Sequence, residues 1–265
     1  MTVMVRITFT LLLCCCLRVA SAHEFWIEAR AYQVESGAPI EAGLYNGQMF
    51  KGVELAWFKG RIKSALWAAG AQSGVFEGRS GDRPALRIDT APEGLVRLIY
   101  QSAPSELSYS DWEKFVRFVE TKGSGWAVAR HGERGLPQTG FKENYTRYSK
   151  ALIAAGGGAG ADKYSGMIAE LTALTSPYEA EAREVLVEMR WRDEPLAGAT
   201  IDVFEKAGDA VVSQSQVIAD SAGRARIALT PGRRYLINAV VLEEVDGAPY
   251  VWESHWASLT FAVPE

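Results

Sequence analysis

Thiols are almost missing from this chain. Its three cysteines are consecutive, Cys14, Cys15 and Cys16, and all precede residue 23. A chain that loses residues 1–22 therefore has neither disulfides nor thiolate metal ligands. Imidazoles are nearly as scarce, with only His23, His131 and His255. Long apolar runs are absent too. The stretch from Ile7 to Leu17 is about half of the ~20 residues that span a bilayer, and nothing comparable follows, so no transmembrane helix is expected in the mature chain. A basic excess is lacking: the formal net charge is −4 and becomes −6 once Arg6 and Arg18 are removed. That balance argues against nucleic acid and against a polybasic membrane site. Gly-x-Ser-x-Gly, Ser-x-x-Lys and His-Glu-x-x-His are also absent, which removes the commonest hydrolase and zinc-protease signatures.

What is present begins with an export signal. Residues 1–22 carry Arg6, the apolar stretch and a small-residue end at Ala20 and Ala22, with no acid. They read as a cleaved signal peptide, placing the protein in the periplasm or outside the cell. Cleavage after Ala22 makes His23 the first residue, so one residue offers a ring nitrogen and a free α-amine. Both bind metal only when unprotonated, and affinity should fall as pH drops from about 8 to 6.

The rest reads as mainly β. Short runs such as Ile40–Tyr45, Val53–Phe58, Ala85–Ile88 and Gly94–Tyr100 are bounded by Gly, Pro, Asn or Asp, as strands are. Ser110–Glu120 predicts a short amphipathic helix capped by Ser110, with Trp112, Phe115, Val116 and Val119 on one face. Residues 124–140 read as loop or frayed helix, 141–155 as either helix or strand, and Gly156–Gly160 as a flexible connection. Runs at 184–191, 200–204, 217–229, 234–241 and 251–261 suggest a C-terminal immunoglobulin-like or transthyretin-like β-sandwich. The expected organisation is a β-rich N-terminal domain, residues 23–182, with a helical and Gly-rich insertion, and a C-terminal sandwich, residues 183–265.

Five pieces carry a family resemblance. They are His23-Glu24-Phe25-Trp26, the run Gly43-Leu44-Tyr45-Asn46-Gly47-Gln48-Met49-Phe50-Lys51-Gly52, Asn144 to Leu152, Glu194 to Ala199, and Trp252 to Phe261. Together they resemble exported proteins grouped as domain of unknown function 4198 and described as nickel/cobalt-uptake periplasmic components. The resemblance implies an all-β periplasmic protein accessory to nickel or cobalt uptake, partnered with a metal ion and with a membrane transporter component.

With no thiols, a transition metal must bind nitrogen or oxygen donors, which suits copper, nickel or cobalt. His23 is the leading candidate ligand. Alternation along 251–260 puts Glu253, His255 and Ala257 on one face, so His255 could add a second imidazole and Glu253 a fourth ligand or an orienting partner. His131, among glycines, is the remaining candidate. The expected function is transition-metal binding without catalysis, with copper the other metal to weigh beside nickel and cobalt. The alternatives are a copper oxidoreductase with a histidine brace and a non-catalytic interaction module.

Overall fold

Alternating runs that each bury one face must find a partner layer, and here one long sheet serves as partner to all of them. A computed structural model describes residues 23–265, so the expected signal peptide lies outside the described residues. Strands β1 (Glu24–Ala29), β2 (Gln33–Val34), β3 (Ile40–Gln48) and β4 (Lys51–Leu55) come first. Next are β5 (Ile62–Ala69), β6 (Gln72–Val75), β7 (Leu86–Ile88), β8 (Gly94–Ser102) and β9 (Ser105–Tyr109). Helices α1 (Trp112–Thr121) and α2 (Trp126–Glu133) precede β10 (Phe141–Ala155) and β11 (Ala169–Ala173). Then come β12 (Glu184–Trp191), β13 (Glu194–Pro195), β14 (Thr200–Ala207) and β15 (Ala210–Ile218). The last are β16 (Arg224–Ala228), β17 (Arg234–Glu244) and β18 (Trp252–Ala262).

The central sheet has ten strands in the order β15-β14-β17-β18-β10-β8-β5-β6, with β2 and β9 also pairing with β10. One of its faces is covered by the sheet β1-β3-β4, to which β7 adds, and by the helices. The other face is covered by β11-β12-β13 with β16. The fold is mainly β, as the turn spacing suggested. The border expected at residues 182 and 183 falls between β11 and β12, antiparallel neighbours in one sheet. Strand β10 also runs parallel to β18, from Glu143 beside Trp252 to Ala151 beside Thr260.

Two alternatives left open by the sequence are resolved. Residues 126–133 form a helix because Ala127 and His131 are buried in an aromatic cluster, which outweighs the weak helix propensity of the glycines around them. Strand β10 showed no clean period because layers cover both its faces: Ala151 and Ile153 face one core, Tyr148 and Leu152 the other. Helix α1 starts as expected, but Asp111 is its cap, accepting from the Glu113 amide at 3.0 Å.

The β3–β4 hairpin explains its own sequence. Its turn residues Met49 and Phe50 have φ of 53° and 60°, the left-handed pair of a tight hairpin. Neither is glycine, and the strain is offset by Phe50, fully buried against Trp26. The Met49 amide also donates to Glu24 Oε2 at 2.8 Å. Gly47 is required here, since a Cβ there would overlap the Lys51 carbonyl. This pairing sets Asn46 at the edge of the cleft described next.

Candidate functional site

Strand β1 delivers His23 to its position. The Ile27 amide donates to Ser149 Oγ at 3.0 Å, Thr260 Oγ1 donates to the Ile27 carbonyl at 2.6 Å, and Lys122 holds Glu24 at 2.9 Å. All six residues of the strand are buried, while His23 just ahead of it is exposed. It lines a cavity of about 340 Å³ together with Asn46, Tyr145, Arg147, Glu143 and Trp256. Lys114 and Phe118 of α1 close another side, and Phe118 stacks on Trp256 with centroids 5.5 Å apart. A second cavity, of about 350 Å³, shares Asn46, Tyr145 and Arg147 and adds Phe25, Arg61 and Tyr100.

Glu143 sits in the wall of the first cavity, buried to 1 % exposure. Tyr109 donates to its Oε2 at 2.6 Å and Ser254 to its Oε1. Burial raises its pKa to about 7 despite these donors and Arg147. Tyr109, beside this carboxyl, is pushed well above the usual phenol range by burial and by that neighbour. Because folding raises the pKa from 4.5 to about 7, the folded state holds the proton better. The associated stability is present below pH ~4.5 and is lost as pH rises through ~7. Glu143→Gln removes this dependence. The stability of that variant relative to the parent should improve by roughly 3 kcal/mol between pH 4.5 and 8, measured by urea unfolding at each pH. A parallel pair of profiles would contradict it.

The other candidate residues lie elsewhere. In strand β18, Trp256 faces the cavity and His255 faces the opposite layer, stacked near Tyr148 and 4.5 Å between centroids from Trp191. The sheet therefore separates His255 from His23. Tyr148 Oη lies 3.2 Å from His255 Nδ1, and Nε2 has no hydrogen-bond partner among the described residues. That nitrogen faces Glu243 Oε2 at 3.5 Å and Glu253 Oε1 at 4.0 Å. Burial, with Arg192 adding repulsion, lowers the imidazole pKa to about 4. Glu253 accepts from Asn144 Nδ2 at 3.1 Å, so the expected company of His255 and Glu253 is present, joined by Glu243 from the neighbouring strand.

His131 is held on both ring nitrogens. Nε2 is 3.0 Å from the Pro137 carbonyl, and Trp252 Nε1 donates to Nδ1 at 3.0 Å. With 1 % exposure it belongs to the aromatic core under α1 and α2, and burial lowers its pKa. A neutral ring donating to Pro137 and accepting from Trp252 satisfies both atoms, which leaves no lone pair for a metal.

Sequence reasoning missed Arg147, Asn46, Tyr145, Glu143 and Lys114. The signal available was the set of motif pieces: His23 and Phe25, Asn46, Tyr145 and Arg147, and Trp256 come from four different runs and meet in this cleft. A family model described as "Domain of unknown function (DUF4198)" matches residues 20–243. The chain belongs to that family. No curated protein matches it. In this DUF4198 member no helix among the described residues is long and apolar enough to cross a membrane.

Proposed function

We propose that the exported chain is a transition-metal-binding protein that captures copper, nickel or cobalt through His23 and serves as an accessory to uptake or handling of that ion. The observation that carries this reading is the exposure of His23 at the rim of the 340 Å³ cavity, directly ahead of a strand pinned on both sides. Once Ala22 is removed, the α-amine and ring of one residue form a chelate on a rigid base. The metal is cargo in this account, so exposure suits its transfer to a membrane component. Binding is favoured over oxidation because a histidine brace needs a second imidazole, and His255 lies across the sheet from His23.

Titration of the processed protein with Cu(II) and Ni(II) tests the assignment. His23→Ala should weaken binding by at least about tenfold, a loss of ~1.4 kcal/mol, while His255→Gln should leave it unchanged. Binding that survives His23→Ala and disappears with His255→Gln would move the site to the Glu243 and Glu253 side of the sheet.

A further inference from the structure

The buried lysines of this protein are matched by acids. Lys122 meets Glu24 and Asp202, Lys150 meets Asp162 and Glu170, and Lys206 meets Glu28. Arg147, part-buried at the cleft, departs from that pattern. Its guanidinium has no carboxylate within 4.0 Å among the described residues, and its side chain donates to neutral Asn46 Oδ1 at 2.6 Å. Three aromatic rings surround it, with its central carbon 5.1 Å from the Tyr145 centroid, 5.7 Å from Phe25 and 5.9 Å from Trp256. Such stacking holds the planar group in place and leaves its edge for hydrogen bonding.

Arg147 is also the junction of the two cavities, of about 340 and 350 Å³. Lys114 lines one and Arg61 the other, and neither makes an ion pair among the described residues. Among the described residues the sole acid in either wall is Glu143, whose two oxygens already accept from Tyr109 and Ser254. A cationic cleft on a chain of net charge −4 concentrates anions against the field of the whole molecule. A part-buried guanidinium with no carboxylate partner presents free N–H donors that an anion entering the cleft would complete.

We infer that this cleft binds a small organic carboxylate, its carboxylate on the Arg147 guanidinium and its apolar or hydroxylated body against Tyr145 and Trp256. A planar fork and a carboxylate match in two parallel hydrogen bonds. The aromatic walls favour a molecule with a carbon body over a bare inorganic anion. This goes beyond the metal reading and does not depend on it, because none of these contacts needs a free amine at His23.

The test uses the processed protein in resin-treated, metal-free buffer, titrated with benzoate, succinate, citrate and galacturonate, with benzamide and inorganic phosphate as comparisons. Calorimetry and tryptophan fluorescence report binding, since Trp256 lines the cleft. At least one carboxylate should bind, and benzamide should not. Arg147→Gln should weaken that binding by about tenfold or more. Asn46→Asp, which supplies a carboxylate where the Asn46 oxygen contacts the guanidinium, should weaken it similarly while melting stays within a few degrees of the parent. A form acetylated at the His23 α-amine should bind the carboxylate unchanged, which separates this result from the metal result. No carboxylate binding, binding of phosphate alone, or equal affinity in folded Arg147→Gln and Asn46→Asp would overturn the inference.

Discussion

Replacing Lys150 with Met should destabilise the protein by about 3–5 kcal/mol. Lys150 has 0 % exposure, and its Nζ lies 2.7 Å from Glu170 and 2.9 Å from Asp162, which are buried with it. The lysine comes from β10 in the central sheet, Glu170 from β11 in the covering sheet, and Asp162 from the segment between them. Both acids are further committed to backbone: Asp162 accepts from the Ala173 amide at 2.9 Å, and Glu170 from the Ser165 amide at 3.0 Å. Removing the cation leaves two carboxylates at close range with no counter-charge, so the loss exceeds that of an ordinary ion pair. Chemical denaturation measures it directly. Combining Lys150→Met with Asp162→Asn and Glu170→Gln should recover part of the stability, because no buried charge then remains. A single-variant loss under ~1 kcal/mol would show that water already reaches this cluster.

Acetylating only the α-amine of His23 should lower Cu(II) or Ni(II) affinity by about 10²–10⁴-fold. Acetylation turns the His23 amine into an amide and leaves no basic amine near the ring. The second donor then no longer closes on the same ion at high effective concentration, and enhancements of that size come from such closure. The fold should be unaffected, since His23 is exposed and strand β1 begins only at Glu24. Metal titration of the two forms, with melting curves as the control, gives the comparison. Equal affinities would remove the α-amine from the site.

Much of the architecture was readable from turn residues, because Gly, Pro, Asn and Asp punctuate strands for local steric reasons. Strand β10 was not readable, since its side chains pack into cores on both faces and its polar members Glu143, Ser149 and Lys150 are buried. Its parallel pairing with β18 joins residues more than a hundred apart, and no local pattern encodes that. The alternation along β18 placed Glu253 and His255 on one face correctly, as the 4.0 Å approach of Glu253 Oε1 to His255 Nε2 shows. It could not tell which layer that face meets, and so it could not separate His255 from His23. Arg147 was hidden for a related reason: an arginine in a strand reads as a surface charge until three rings from three strands are seen around it.

The most direct test of the metal account is pulsed electron paramagnetic resonance on the processed protein with one equivalent of Cu(II). The account predicts coupling to a single imidazole and to one amine nitrogen, with the amine coupling lost in the form acetylated at the His23 α-amine. Two coupled imidazoles, or a spectrum that is the same with and without the acetyl group, would contradict it.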